Sequence, residues 1–249
     1  MRAIIANAAG GPEVLTIQET DAPAPGAGEV LVRTAAVGVN FIETYQRSGL
    51  YRVPFPFTPG AEASGTVIAV GEGVTGLDVG SLVATAEGRA SYAEQFVVPA
   101  AAAVQVPSGI TAEVAAALPL QGLTAHYLAT SAARPESGET VLVHAGAGGV
   151  GLLLTQLLTA RGVRVLTTVS TPEKRALSLA AGAVEALDYA EFADRARELT
   201  DGAGVAVVYD GVGKDTFDDS LRARRVRGEL VLFGGASGPV PPVDLQRLN

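Results

Sequence analysis

Between Val141 and Leu154 the chain reads VLVHAGAGGVGLLL, with Gly146, Gly148, Gly149 and Gly151 set between two apolar segments. Glycines at such spacing let backbone N–H groups approach a ligand, because no Cβ holds the chain away. Gly146 to Gly151, with Val150 among them, fit G-x-G-x-x-G, a pattern whose chemistry is the binding of a dinucleotide pyrophosphate. In that pattern the first glycine allows a tight turn and the second admits the pyrophosphate. The third lets helix and strand pack closely. The following helix N-terminus adds unpaired N–H groups and a positive dipole. A glycine turn with no ligand is the other reading of the same residues, and the surrounding elements weigh between the two.

TVLVHAG before the motif reads as a strand, and GVGLLLTQLLTARG after it as a helix stopped at Gly162. VRVLTTV is the next strand. TPEKRALSLAAG is a helix with Thr171 as N-cap and Pro172 in its first position. EALDY, VAVVYDGVG and ELVLFGG read as strands, FADRARELTDG and DTFDDSLRARRVRG as helices. Five strands thus alternate with four helices, which predicts a parallel sheet covered on both faces. A G-x-G-x-x-G that follows a strand and opens a helix in such a series favours the dinucleotide reading. On the last of these helices, Arg222, Arg224, Arg225 and Arg227 read as a solvated helix end.

The end of the second strand discriminates between cofactors. An NAD site places Asp or Glu there to grip the ribose hydroxyls. Here the segment is TTVSTPEKR, with no acid at the strand end, hydroxyls at Ser170 and Thr171, and cations at Lys174 and Arg175. This suits a 2′-phosphate and therefore NADP(H). The alternative is an ordinary helix start with solvated basic residues.

The first half is different in rhythm. EVLTIQE, EVLVRTAAVGV, SGTVIAVG, SLVAT and YAEQFVV are short strands divided by Gly, Pro and Asp, which suggests a compact barrel-like domain. TAEVAAALPLQGLTAHYLATSAA reads as helix, broken near Pro119. The expected division is residues 1–120 and residues 121–249.

Bulk composition excludes several function classes. The net charge of −8 repels nucleic acid and anionic membranes. The absence of cysteine removes disulfides, thiol nucleophiles and thiolate metal sites, and His126 and His144 alone make a poor zinc site. The longest apolar runs fall far short of the ~18 residues that span a bilayer, and the N-terminus carries no secretory pattern. A cytoplasmic location is expected.

AGAGGVGLLLTQLL resembles the cofactor loop of the medium-chain dehydrogenase/reductase superfamily. GGPEVL, GVNFIETYQRSGLY, PGAEASGTVIAVGEGV, LQGLTAHYL and YDGVGKDTF resemble its quinone oxidoreductase branch, which includes zeta-crystallin. The resemblance runs over nearly the whole chain, with the motifs in the family's order. It implies an α/β protein in which a GroES-like substrate domain precedes a Rossmann domain, with the active site in the cleft between them. It also implies NADPH-dependent reduction of quinones. Zinc alcohol dehydrogenases of the superfamily carry a Gly-His-Glu motif; here it reads Gly60-Ala61-Glu62, so no metal is expected.

Carried over by residue, the resemblance assigns Asn40 to Tyr45, including Phe41, to the nicotinamide and substrate side. Asn40 and Tyr45 are the catalytic candidates, and Tyr45 and Tyr51 the substrate contacts. Thr124 matches a cofactor-contacting threonine, and Gly148, Gly149, Val150 and Gly151 the pyrophosphate loop. Ser170, Thr171 and Lys174 match the adenosine-phosphate contacts, Tyr189 a tyrosine flanking that phosphate, and Phe233 and Gly234 a segment near the nicotinamide. Reduction of an α,β-unsaturated carbonyl, or cofactor binding without turnover, remain alternatives.

Family members are longer, and VDLQRLN follows soon after the fifth strand. An open sheet edge and an unfinished substrate domain are therefore expected. The resemblance implies a homodimer for full-length members, paired through a sixth edge strand that this chain has no sequence to form, and the exposed edge is expected to favour aggregation or non-native association.

Overall fold

A computed structural model describes residues 1–244 and 246; within VDLQRLN, Leu245 and residues 247–249 lie outside the described residues. The chain forms two compact units, Met1–Leu120 and Gln121–Asn249.

In the first unit β1 (Arg2–Ala6) and β2 (Leu15–Glu19) form an antiparallel ribbon. β3 (Glu29–Val37) is followed by α1 (Phe41–Ser48), β4 (Ala63–Val70), β5 (Leu82–Thr85), β6 (Gln95–Pro99), β7 (Val104–Gln105) and α2 (Ala112–Ala117). These strands build an antiparallel sheet in the order β6-β3-β4-β5-β7. Its core is β-branched and aromatic: Val30, Val32, Val67, Val83, Phe96 and Val98 are all buried. β1, β7 and α1 were not foreseen. For α1 a signal existed, since Asn40-x-x-Glu43 has capping-box spacing and Gly49 ends the helix at φ 83°.

α3 (Pro119–Tyr127) starts at the expected proline break and runs into a wider helical turn at Leu128–Ala132. The second unit continues with β8 (Thr140–Val143), α4 (Gly149–Ala160), β9 (Arg164–Val169), α5 (Pro172–Ala180), β10 (Glu185–Asp188), α6 (Phe192–Glu198), β11 (Val205–Asp210), α7 (Phe217–Ala223) and β12 (Arg224–Leu232). All five strands are parallel, in the order β10-β9-β8-β11-β12. Every residue of β8 and β11 is buried, as expected of central strands covered on both faces. Alternate residues of β8 serve opposite layers. Val141 and Val143 pack with Leu154 and Leu158 of α4, while Leu142 packs with Phe192 and Ala196 of α6 and Ala223 of α7.

One assignment needs correction. The last helix ends at Ala223, so Arg222 lies in its final turn while Arg224, Arg225 and Arg227 belong to β12. The register opposite β11 jumps from Val205↔Arg224 to Val207↔Glu229, so the intervening residues bulge out, with Arg227 at φ 62°. Two of the arginines are also paired rather than merely solvated: Arg225 meets Glu139 at 2.6 Å, and Arg222 meets Asp219 at 3.0 Å.

Leu154 is fully enclosed between α4 and the sheet. Leu154→Ala should lower unfolding stability by about 2–5 kcal/mol, read as a shift of the urea midpoint with an unchanged slope.

Candidate functional site

The strand order reverses around β8, whose neighbours are β9 and β11. In open parallel sheets the crevice at the carboxyl ends of such strands is where ligands bind. There His144 continues the ladder, its N–H donating to the Tyr209 carbonyl at 3.0 Å, and Gly146 N–H crosses to the Thr168 carbonyl at 2.9 Å. Gly148 is the N-cap of α4.

The glycines work differently from the sequence expectation. The left-handed residue of the turn is Ala145, at φ 51°, not a glycine. Gly146 is required by contact instead: a Cβ there would collide with Thr167 and stand 2.8 Å from Ser178 Oγ. A Cβ on Gly151 would strike the Ala145 carbonyl and stand 2.9 Å from Gly146 Cα. At Gly148 only the Ala145 carbonyl, 3.2 Å away, meets an added Cβ, so the backbone is open to a ligand. Val150 packs its side chain onto the core. Thr124 is half-buried on α3.

At the end of β9, Ser170, Thr171 and Lys174 are exposed together. Thr171 caps α5, accepting the Lys174 N–H at 3.3 Å, and Lys174 Nζ donates to Ser170 Oγ at 3.1 Å. Glu173 also sits in this turn; its own backbone N–H, then the Thr171 hydroxyl, hold its carboxyl below the usual range. Arg175 is turned away, donating to the Ala186 carbonyl and pairing with Asp188 at 3.3 Å. Tyr189 reaches the glycine loop, its hydroxyl accepting the Ala145 N–H at 3.1 Å while its ring stacks on His144. Phe233 and Gly234 follow β12; Phe233 N–H donates to the Asp210 carbonyl at 2.9 Å and its ring crowds Gly211.

The first unit gathers a second cluster. Asn40 is the N-cap of α1, and its backbone N–H donates to Glu43 Oε2 at 2.6 Å. Its Nδ2 donates to Glu62 Oε2 at 2.7 Å, while Glu62 Oε1 accepts the Leu120 N–H at 2.8 Å. Tyr92 donates to Glu43 Oε2 at 2.9 Å. Glu43 Oε1 is buried with no hydrogen-bond partner. Burial raises the Glu43 carboxyl above its ordinary range, with the Glu62 charge adding to it, against the bonds from Asn40 and Tyr92. Burial, then the Glu43 charge, raises the Tyr92 hydroxyl. Among the described residues no three His, Cys, Asp or Glu side chains converge as a metal site, and Ala61 stands where the zinc motif has histidine.

Beside this network α1 presents aromatic rings. Phe41 and Tyr45 meet edge-on with centroids 5.3 Å apart, and Tyr45 and Tyr51 are tilted at 5.2 Å. Phe41 and Tyr51 are 54% and 50% exposed, so the cluster offers exposed apolar ring surface with polar tips. Sequence reasoning picked Asn40, Phe41, Tyr45 and Tyr51 but missed Glu43, Tyr92 and the role of Glu62. The capping spacing pointed to Glu43; nothing local pointed to Tyr92, 49 positions further on.

Glu62 is fully buried and satisfies two donors. Glu62→Ala should cost about 1–3 kcal/mol for each donor left unpaired, measured by chemical denaturation, and Glu62→Gln should cost less because one acceptor remains.

Comparisons with known proteins cover parts of both units. Residues 26–108 match the model described as alcohol dehydrogenase GroES-like domain, and residues 149–249 the one described as zinc-binding dehydrogenase. The chain is 49% identical over 244 residues to a quinone oxidoreductase of Pseudomonas aeruginosa, covering 96% of this chain and 75% of the relative. A mycobacterial protein solved with NADPH is 55% identical with a TM-score of 0.97, covering 100% of this chain and 78% of that one. The Escherichia coli quinone oxidoreductase, also solved with NADPH, is 40% identical with a TM-score of 0.96 at the same coverage.

Proposed function

Since the chain belongs to the quinone oxidoreductase family of the medium-chain dehydrogenases/reductases, we propose that it transfers reducing equivalents from NADPH to a quinone. The observation that carries this reading is the glycine loop at the strand-order reversal, with Ser170 and Lys174 exposed at the end of the adjacent strand. Residues 1–120 would serve as the substrate domain and residues 121–249 as the cofactor domain.

The residues fit the cofactor. The open backbone at Gly148 and the first N–H groups of α4, which have no intrahelical partner, suit a pyrophosphate. Lys174 and Ser170 suit a 2′-phosphate, with the N-terminus of α5 adding its dipole. Thr171 is occupied as a cap and acts by shaping that turn. NADPH, when bound, supplies the hydride, and the protein supplies orientation and a dry environment. Asn40, held by Glu62, orients the nicotinamide end, and Tyr45 with Phe41 and Tyr51 gives the quinone ring a stacking face and a hydroxyl. A quinone is electrophilic enough to need no Lewis acid, so a metal has no assigned part. No helix among the described residues is long and apolar enough to cross a membrane, and the cytoplasm, with its reduced nicotinamide pool, is the compartment this activity needs.

The deciding assay follows NADPH oxidation with 1,4-benzoquinone, 9,10-phenanthrenequinone and crotonyl-CoA, with and without a chelator. Quinone turnover that survives the chelator is expected. Turnover of crotonyl-CoA alone would assign an enone reductase instead, and tight NADPH binding without turnover a binding protein.

Cofactor choice has its own test. A charge-assisted hydrogen bond contributes about 1.5–3 kcal/mol, so Lys174→Ala should weaken NADPH by roughly 10- to 100-fold and leave NADH nearly unchanged. Titration of wild type and variant with both cofactors checks this; equal wild-type affinities would remove the preference for NADPH.

A further inference from the structure

Behind the glycine loop lies a run of buried polar groups that the proposed activity does not use. Asp210, at the end of β11, accepts the N–H groups of Val212 and Gly213 at 2.8 and 2.9 Å and the Thr216 hydroxyl at 2.8 Å. Ser220 of α7 donates to Asp210 Oδ2 at 2.8 Å. His144 Nε2 lies 2.8 Å from Ser220 Oγ, and its Nδ1 lies 2.9 Å from Thr168 Oγ1 on β9. The Ala145 N–H reaches the same Thr168 oxygen at 3.2 Å. His144, Thr168, Asp210 and Ser220 are all buried.

The order of protons along this run follows from counting them. A hydroxyl has one proton, and Ser220 gives its own to Asp210, a carboxylate that can only accept. The Ser220 oxygen therefore faces His144 as an acceptor, so the histidine proton sits on Nε2. Nδ1 is then bare and takes the Thr168 proton. Thr168 is left with its oxygen toward the loop, ready for the Ala145 N–H. The reverse order would turn the Ser220 proton from Asp210 to His144 and take a donor from a buried carboxylate.

We propose that Asp210, acting through Ser220, His144 and Thr168, is a positioning residue for the glycine loop: it sets the Nε2–H form of His144, whose bare Nδ1 takes the Thr168 proton and so fixes the Thr168 lone pairs toward the Ala145 N–H, which holds Ala145 in its left-handed conformation. An L residue resists that conformation, so the turn needs an outside anchor. Tyr189 supplies a second acceptor for the same N–H. Among the described residues, the groups facing His144 that can carry charge are Asp210 on β11 and Tyr189 after β10; Phe192 of α6 brings an uncharged ring edge, centroids 4.7 Å apart. Burial lowers the His144 ring to about 4, against the opposing pull of Asp210, so the ring stays neutral as pH falls through the usual histidine range.

The part concerning NADPH affinity rests on the reading of the loop as an NADPH site, and the test separates the two. Nitrogen-15 NMR of the two histidines in the full chain, with His144 assigned by loss of the other signal in His126→Gln, reads the tautomer without any cofactor. The Nε2–H form, unchanged from about pH 8 to about pH 5, is expected; the Nδ1–H form, or titration near the ordinary histidine value of about 6.5, overturns the assignment. Thr168→Val matches the shape but removes the hydroxyl, and should raise the NADPH Kd by roughly 10-fold, whereas Thr168→Ser should restore it. Wild-type NADPH affinity in Thr168→Val would overturn the positioning role. A wild type that shows the expected tautomer yet binds no NADPH would refute the proposed function and, with it, only the affinity part of this inference.

Discussion

How closely α4 approaches the turn after β8 decides what the second unit can bind. The helix N-terminus offers a phosphate its unpaired N–H groups only if no side chain stands between. Gly151 lets the helix lie against the Ala145 carbonyl, and Gly146 lets the turn lie against Thr167 and Ser178. With both contacts made, the strain of the turn falls on Ala145, and two hydroxyls, those of Thr168 and Tyr189, converge on its N–H. The core on each side of β8 then keeps the helix from relaxing outward.

The first unit solves a different problem, the burial of two carboxylates near one helix end. Burying charge is costly unless each oxygen is satisfied. Glu62 meets this fully, with Asn40 and the Leu120 amide. Glu43 meets it on one oxygen, which takes both the Asn40 N–H and Tyr92, and leaves the other bare. Burial therefore raises the Glu43 carboxyl, and these two bonds offset only part of the lost hydration. The Glu62 carboxylate holds the Asn40 amide and ties the start of α1 to the start of α3.

Charge at the adenosine end is local rather than global. The chain carries a net charge of −8, so a phosphate is not drawn by the overall field. In the proposed site what favours it is the combination of Lys174, Ser170 and the N-terminus of α5. Arg175, adjacent in sequence, is withdrawn by Asp188 and the Ala186 carbonyl, which concentrates the proposed role on a single cation.

The order and type of elements in the second unit were readable from the sequence, because buried parallel strands and short capped helices leave apolar runs separated by Gly, Pro and Thr. The glycine motif and the missing acid after β9 were readable for the same local reason. Elements without a strong period were lost: β1, with sequence RAIIA, has no alternation, β7 is two residues long, α1 hid its capping signal, and the arginine run continued a helical pattern that β-pairing with Val205 overrode. The partners of the buried acids and of His144 could not be read from the chain at all. Tyr92 meets Glu43 across 49 positions, and Ser220 meets His144 across 76. Local sequence sets helix caps and strand periods, which depend on residues a turn apart. Which hydroxyl faces which carboxylate depends on how strands and helices stack, and only the tertiary structure decides that.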